Sequence, residues 1–419
     1  MPDWLRLLLT RRMLICVFTG FSSGLPLYLL LNLLPAWLRS ESVDLKTIGL
    51  FALIQFPYTW KFLWAPLLDR YRLPLGRRRG WMMVSQIGLL YSIGLLGGFS
   101  PSTNLTPVIW LSVALAFLSA TQDVALDAFR REILSDQELG LGNSVHVNAY
   151  RIAGLVPGSL SLILADLLPW GQGFWITATF MLPGMGMVLL VEEPAVVGAP
   201  KTLRQAVVEP FHEFIGRQGW SGALTVLGFI FLYKLGDSLA TALSTPFYLD
   251  LGYSKTDIGM IAKHAGLWPA VFGGLLGGLW MVRLGINRAL WLFGLVQMVT
   301  ILGFAWLAWR GVQPSIDGFD RAALAGVIAA EYLGVGLGTA AFTAFIARAT
   351  NPAFTATQFA LFTSLAAVPR TFINASAGAL VESMGWVSFF ILCFVLAAPG
   401  MALLLKVAPW NEIPPSPKA

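Results

Sequence analysis

The sequence is poor in charge: only 12% of its 419 residues are Asp, Glu, Lys or Arg, whereas 56% are hydrophobic and the mean hydropathy is +0.70. Soluble domains carry about 25% charged residues, so this composition excludes an ordinary soluble protein. The chain also has just two cysteines and three histidines, without the spacing of a disulfide framework or a metal site. We therefore expect Cys16 and Cys393 to be buried as small hydrophobic residues, and we expect no metal ion or other cofactor.

Catalytic motifs are missing as well. The sequence contains no HExxH, no G-x-S-x-G, no Walker motif and no Cys/His pair arranged as nucleophile and base. The net charge of +6 comes from basic residues scattered over short segments, which differs from the single basic face of a nucleic-acid-binding protein. These absences argue against an enzyme and against nucleic acid as a partner.

What the chain has in quantity is long apolar runs. A run of about 20 residues crosses roughly 30 Å of hydrocarbon as an α-helix, and such runs leave no room for a large soluble domain. The pattern predicts an all-α membrane protein with twelve transmembrane helices, at residues 13–38, 46–68, 81–99, 106–130, 141–168, 172–191, 221–249, 256–282, 289–309, 321–347, 354–382 and 386–406.

The distribution of basic residues predicts the orientation of these helices. With a cytoplasmic N-terminus, 18 of the 28 Lys and Arg residues fall in cytoplasmic segments, 5 fall on the opposite side and 5 lie within predicted spans. Cytoplasmic loops carry the excess of basic residues in membrane proteins. Both termini are therefore expected in the cytoplasm.

The chain divides into two similar halves. Residues 1–191 and 221–410 each hold six predicted spans, residues 192–220 form a polar cytoplasmic linker, and residues 411–419 form a cytoplasmic tail. Lys-Thr followed by Ile-Gly occurs near the start of both the second and the eighth span. Duplicated six-helix halves are the architecture of major facilitator transporters, which hold substrate near the membrane midplane between the halves. The linker could form an amphipathic helix, with Leu203, Val207, Phe211 and Phe214 on one side.

Charges near the cytoplasmic ends of the helices suggest a conformational latch. The loop from residue 67 to residue 80 resembles the major facilitator signature in which an Asp-Arg pair precedes a Gly-Arg-Arg cluster. Charge pairing there would hold neighbouring helix ends together in one transport state. An ordinary basic cytoplasmic loop is the alternative. The expected latch residues are Asp69, Arg70, Arg77, Arg78 and Asp127.

Asp123 lies one helical turn deeper than Asp127, with Gln122 beside it. A carboxyl group at that depth must face the protein interior, where it could bind substrate or take up and release a proton. The alternative is a fixed ion pair with Lys61 or Arg151 from neighbouring helices.

The second half has its own candidates. Lys234 and Asp237 are three residues apart, so they can pair on one helix face, either as a structural ion pair or as an opening pair that frees Asp237 for a proton. Glu331 has no basic neighbour in sequence. Lys263 and Arg370 are its expected partners, or groups that hold an anionic substrate. Because buried charges occur in both halves and the loops are short, transport is favoured over a receptor or sensor.

Several motifs together resemble the AmpG family of muropeptide permeases within the major facilitator superfamily. They follow in order along nearly the whole chain: Gly20-Phe-Ser-Ser-Gly-Leu-Pro26, Asp44-Leu-Lys-Thr-Ile-Gly49, Lys61-Phe-Leu-Trp-Ala-Pro66, Asp69-Arg70, Gly76-Arg-Arg-Arg-Gly-Trp81, Ser119-Ala-Thr-Gln-Asp123, Pro200-Lys-Thr-Leu203, Gln205-Ala-Val-Val208, Leu232-Tyr-Lys-Leu-Gly-Asp237, Ala356-Thr-Gln-Phe-Ala-Leu361 and Gly385-Trp386.

The resemblance implies a proton-driven symporter in the inner membrane of a Gram-negative cell. It would import N-acetylglucosaminyl-anhydro-N-acetylmuramyl peptides for peptidoglycan recycling and β-lactamase induction, with protons as the second partner. We also expect the protein to be a monomer. By the same resemblance, Gln122, Asp123, Lys61, Lys234 and Asp237 are membrane-embedded polar sites of the family. Some members have two further apolar spans. Shorter relatives include single-component permeases for ferric siderophores, so a ferric siderophore is the alternative substrate.

Overall fold

The computed structural model describes residues 9–43, 51–194, 202–253, 257–313, 315–368 and 373–411. Within these ranges the chain is helical and has no named β-strand. The α-helices, numbered α1 to α17 in chain order, are Arg11–Tyr28, Leu34–Ser40, Phe56–Trp60, Ala65–Arg70, Arg79–Leu96, Leu105–Ile133, Leu139–Ala153, Ser161–Leu167, Trp170–Thr179, Leu182–Leu190, Leu203–Leu232, Leu235–Ala242, Ser244–Asp250, Lys263–Arg310, Gly318–Ala349, Thr355–Val368 and Ala377–Val407. Short 3-10 or π segments are Leu29–Leu33, Phe51–Gln55, Lys61–Leu63, Val156–Leu160, Ile258–Ala262, Pro352–Phe354 and Asn374–Ser376.

Three glycines break long helices at positions where the sequence predicts a connection. Gly219, Gly285 and Gly385 have φ of 68°, 75° and 76°, a left-handed conformation that glycine adopts without a steric penalty. The turn at Gly285 divides α14 between the predicted spans 256–282 and 289–309, and the turn at Gly385 divides α17 between 354–382 and 386–406. Gly219 separates the first part of α11, predicted as an amphipathic linker helix, from the membrane span that follows.

Eight helices among the described residues are long and apolar enough to cross a membrane. This count takes α14 as one helix despite the break at Gly285, and it leaves out α5 and the short helices α3 and α4. Each of the twelve predicted spans overlaps a helical stretch of the structure. Of the residues predicted to share one side of the linker helix, Val207 and Phe211 are exposed and Phe214 is buried, so its amphipathic character stays a prediction.

The helices form two compact units. Unit 1 comprises Met1–Glu213 and Ala347–Ser364, and unit 2 comprises Phe214–Ile346 and Leu365–Ala419. The expected division into residues 1–191, 192–220, 221–410 and 411–419 stays a prediction. The structural equivalence of the two Lys-Thr…Ile-Gly motifs also stays a prediction, because residues 44–50 and 254–256 lie outside the described ranges.

In unit 1, α1 packs against α7 and α6. Gly20 and Gly24 lie four residues apart on one face of α1, where a Cβ atom would come within 2.1 Å of the His146 carbonyl oxygen and 2.2 Å of the Tyr150 carbonyl oxygen, respectively. Small residues allow this approach, which drives helix association where lipid removes the usual hydrophobic advantage. The two glycines of the Gly20-to-Pro26 motif are therefore packing residues.

The core of unit 2 is aromatic. Phe247 is fully buried, and its ring lies 4.8 Å from that of Phe390 in an edge-to-face arrangement and 6.1 Å from that of Phe304. These spacings are favourable for aromatic pairs. They fix α13 against α14 and α17.

Candidate functional site

Asp123 lies on α6, where it meets the serines of α1. Ser23 donates a hydrogen bond from Oγ to Asp123 Oδ1 at 2.6 Å, and the side-chain amide of Gln122 donates to the carbonyl oxygen of Ser22 at 2.7 Å. Gln122 is fully buried and Asp123 is partly buried. The motifs around Ser23 and Asp123 thus form one contact, in which the glycines of α1 set the helix packing and its serines hold the polar pair of α6.

Two cations accompany the acidic residues of α6. Lys61 Nζ lies 3.8 Å from Asp127 Oδ2, and Arg130 Nη2 lies 2.8 Å from Asp127 Oδ1. Lys61 is 7% exposed and Arg130 is 4% exposed, so both positive charges are inside the protein. Lys61 also acts electrostatically on Asp123. We call Lys61, Asp123, Asp127 and Arg130 the unit 1 centre; with all four ionised, its charges sum to zero.

The expected latch residues separate into two places. Asp69 and Arg78 are fully buried and joined at 2.7 Å, whereas the ion pairs described for Asp127 join Lys61 and Arg130. Asp127 therefore lies in the unit 1 centre. Arg70 places its guanidinium 5.5 Å from the centre of the Tyr71 ring.

Arg78 is the middle of a buried ion cluster. Its Nη2 lies 2.7 Å from both Asp69 and Glu132, and its Nη1 donates to the Leu68 carbonyl at 3.0 Å. Arg77 adds a second cation to Glu132 at 2.9 Å. Burial alone would lower the pKa of Arg78, but the adjacent Glu132 and Asp69 outweigh it and raise that pKa. The Arg78 guanidinium therefore stays charged.

Asp69 also caps α16, whose first turns belong to unit 1. The backbone amide of Thr357 donates to Asp69 Oδ2 at 2.9 Å, its hydroxyl donates to the same oxygen at 2.7 Å, and the amide of Ala356 donates to Oδ1 at 3.3 Å. A carboxylate at a helix N-terminus satisfies free amides and interacts favourably with the helix dipole. Asp69 thereby connects α4, the Arg78 loop and α16.

Unit 2 has a partly buried ion pair beside a cavity of about 610 Å³. Lys234 Nζ lies 2.8 Å from Asp237 Oδ2, 3.1 Å from Gln297 Oε1 and 3.3 Å from Thr339 Oγ1. Lys234 and Asp237 line the cavity together with Ser238, Thr241, Thr339 and Asn374. A lysine, a carboxylate, hydroxyls and an amide can bind a polar molecule that carries both charged and hydrogen-bonding groups.

Glu331 is fully buried on α15, and neither of its carboxylate oxygens has a hydrogen-bond partner in the described part of the chain. The hydroxyl of Thr300 lies beside it but donates to the Gln297 carbonyl at 3.0 Å. Arg151 is partly buried in the last turn of α7. The side chain of Lys263 and all of Arg370 lie outside the described residues, so their expected pairing with Glu331 stays a prediction.

Sequence reasoning did not find several residues of these clusters. Glu132 and Glu193 both bind the loop of residues 71–78 between α4 and α5, which we call the arginine loop. Glu193 accepts from the Arg78 amide at 3.0 Å, and Glu132 pairs with Arg77 and Arg78. Gln297 was also missed, because a single uncharged amide inside an apolar span is less conspicuous than a charge. Among the described residues no group of His, Cys, Asp and Glu could hold a metal, and both cysteines are buried and free, as predicted for Cys16 and Cys393.

Comparison with known proteins identifies the family. The Major Facilitator Superfamily model matches residues 13–373. An Escherichia coli K12 protein named anhydromuropeptide permease is 41% identical over 407 residues, which cover 96% of this chain and 81% of that protein. The chain belongs to the AmpG family of the major facilitator superfamily.

Other relatives agree with this assignment. An uncharacterized protein of Haemophilus influenzae is 52% identical, with 96% of each chain covered, and a Rickettsia felis protein named as transporter AmpG 4 is 31% identical, with 92% and 94% covered. Among solved structures, the human organic anion transporter TETRAN matches with a TM-score of 0.70 at 15% identity, covering 96% of this chain and 100% of its own. The major facilitator transporter FucP matches with a TM-score of 0.69 at 13% identity, covering 97% of this chain and 100% of its own. The predicted fold class is confirmed, and the AmpG-family protein is a multi-pass membrane transporter.

Proposed function

We propose that this transporter imports anhydromuropeptides across the inner membrane by symport with protons. The observation that carries the proposal is its 41% identity, over 96% of its length, to a protein named anhydromuropeptide permease. The buried polar residues agree with a substrate of this kind, because an anhydromuropeptide combines carboxylates, amides and hydroxyls. The protein works as a monomer with both termini in the cytoplasm, and its product feeds peptidoglycan recycling and β-lactamase induction.

The unit 1 centre supplies the coupling chemistry. With Asp123 ionised the centre is neutral, and with Asp123 protonated Lys61 and Arg130 leave it with one net positive charge. A carboxylate of the substrate is then attracted to the centre only when the proton is present, since opposite charges interact strongly where water is excluded. Proton and substrate therefore bind together, which is the requirement for symport.

The energy available is sufficient. A proton that enters down a membrane potential of roughly 150 mV releases about 3.5 kcal/mol. Because about 1.4 kcal/mol corresponds to a tenfold ratio, one proton can concentrate a neutral substrate about 300-fold. The transporter therefore needs no ATP site, and one titrating carboxyl group is enough to drive accumulation.

The cluster of Asp69, Arg78 and Glu132 acts as the conformational latch. Its charges are buried and paired, and Asp69 also holds the first turn of α16 through Thr357. Breaking the cluster would expose these charges to water, so the scheme has one closed and one hydrated arrangement of the cluster. In this scheme the cluster stabilises one transport state without contacting substrate.

Uptake of labelled anhydromuropeptide by cells that lack their own permease tests the function. We expect accumulation that a protonophore abolishes. Asp123→Asn should sharply reduce accumulation while the protein remains inserted, whereas the matched variant Asp136→Asn, at a carboxylate with 72% of its side chain exposed, should transport normally. Uptake of a ferric siderophore without uptake of the muropeptide would refute the substrate, and full activity of Asp123→Asn would refute the role of Asp123.

A further inference from the structure

Glu331 is a buried carboxyl group that the coupling scheme does not use. It lies in the middle of α15 with no exposed surface, and both of its oxygens lack a hydrogen-bond partner within the described residues. Buried polar atoms are almost always hydrogen-bonded in folded proteins, so such an atom calls for a functional explanation. An ionised carboxylate in this place would lose its hydration without any compensating donor.

Lys234, the cation that acts electrostatically on Glu331, does not donate a hydrogen bond to it in this arrangement. Lys234 and Asp237 both act electrostatically on Glu331, but they neutralise each other at 2.8 Å. A lysine ammonium has three donors, and Lys234 uses them on Asp237, Gln297 and Thr339. Glu331 is therefore one carboxyl group more than the local positive charge can balance.

No other charged group is described around Glu331. The remaining titratable groups that act on it are Tyr248 on α13 and Cys393 on α17, and both are neutral in their ordinary range. Thr300 on α14 donates its hydrogen to the Gln297 carbonyl. The neutral acid is consequently the form of Glu331 that fits its surroundings, and ionisation requires Lys234 to move.

The cavity gives the proton a route. Lys234, Asp237 and Tyr332, the neighbour of Glu331 in sequence, line the cavity, and Lys234 and Asp237 both act electrostatically on Glu331. Asp237 Oδ1 also has no hydrogen-bond partner among the described residues, so the pair has capacity to rearrange. If Lys234 breaks its hydrogen bond to Gln297 and donates that N–H to Glu331 instead, the Glu331 proton can leave for cavity water. The resulting carboxylate is then paired with the lysine cation.

We propose that Glu331 is a second proton-binding site of the transport cycle, so that each substrate molecule enters with two protons, one on Asp123 and one on Glu331. The exchange of Lys234 between Gln297 and Glu331 moves the second proton. This inference rests on the proposed function, and it adds the stoichiometry of coupling and the residue that sets it.

Accumulation of labelled anhydromuropeptide in proteoliposomes measures the stoichiometry directly. With the voltage held at zero and a pH gradient of about one unit, two coupled protons give about 100-fold accumulation and one gives about tenfold. We expect about 100-fold for the unaltered protein, about tenfold for Glu331→Gln, and about 100-fold for the control Glu382→Gln, which removes an exposed carboxyl group from the same unit. Substrate exchange without a gradient should persist in Glu331→Gln, because the amide imitates the neutral acid.

The other outcomes overturn the inference. Accumulation of about 100-fold by Glu331→Gln would show that the proton is carried elsewhere, and loss of exchange in a folded Glu331→Gln protein would show a role in packing or binding. The unaltered protein tests the inference even if the variant fails to fold, because tenfold accumulation by it excludes a second proton. Absence of any muropeptide uptake would instead overturn the proposed function, which is a different result from uptake with the wrong ratio.

Discussion

Removal of the Arg78 side chain should destabilise the protein more than any other single change in the arginine loop. Arg78→Ala deletes the bonds to Asp69 at 2.7 Å, Glu132 at 2.7 Å and the Leu68 carbonyl at 3.0 Å, and leaves two carboxylates buried. Breaking a buried ion pair from one side costs about 3–5 kcal/mol. We expect the lower end, about 3 kcal/mol, because Arg77 still pairs with Glu132 at 2.9 Å and Asp69 keeps its bonds from α16.

Unfolding of the purified protein in mixed micelles, followed by tryptophan fluorescence over a denaturant series, measures this cost. The matched variant Arg72→Ala, at an exposed arginine of the same loop, should change stability by less than about 0.5 kcal/mol. The double variant Arg78→Ala with Glu132→Gln should lose about 1–3 kcal/mol less than the sum of the single changes, since it leaves fewer unpaired charges. Additivity within about 0.5 kcal/mol would refute the account of one coupled cluster.

Two smaller predictions test packing and pH dependence. Gly24→Ala puts a methyl group 2.2 Å from the Tyr150 carbonyl oxygen and should cost about 1–3 kcal/mol in the same unfolding assay. In the control Gly186→Ala the methyl group meets no atom within 4 Å, so that change should be neutral or stabilising by up to about 1 kcal/mol. Equal effects of the two changes would contradict the close-packing role of Gly24. At Glu138, burial raises the pKa, but hydrogen bonds from Ser135 and the Arg12 guanidinium at 2.6 Å outweigh it and lower the pKa below the unfolded value. This group therefore adds stability that is complete above the unfolded pKa and is lost as the pH falls through the folded pKa. Because the pair is partly exposed, Glu138→Gln should cost about 0.5–1 kcal/mol at pH 7, and its stability should converge with that of the unaltered protein in acid; a constant difference would exclude the ion pair as its cause.

The helices and their connections could be predicted because a membrane-spanning helix leaves a long continuous apolar run in the sequence. Runs long enough to cross a bilayer locate the spans, and Gly285 and Gly385, each next to a predicted connection, turn out to make the breaks. Asp123 and the Lys234–Asp237 pair were also recognisable, since a charge inside an apolar run is conspicuous without knowing its neighbours.

The partners across helices could not be predicted in the same way. Glu132 is 54 residues from Arg78 in sequence, and Thr357 is 288 residues from Asp69, so these contacts depend on helix rotation and register. The same limit explains Asp127. Its position near the end of an apolar run suggested the arginine loop, but its place on α6 directs it to Lys61 and Arg130.

Arg78 and Asp69 differ from Glu331 and Asp237 in how completely their side-chain atoms are hydrogen-bonded, and this difference separates holding from moving parts. Every side-chain nitrogen of Arg78 and both oxygens of Asp69 have partners, so moving them means breaking several charge-assisted bonds at once. Glu331 and Asp237 Oδ1 have unused capacity, so a proton, a water molecule or a substrate group can be gained there without a prior loss. A transporter needs both kinds of group, because its states must be stable enough to be distinct and its binding residues must accept and release cargo. We therefore expect substitutions at Arg78 to change the balance between transport states, and substitutions at Glu331 to change what is carried in each cycle.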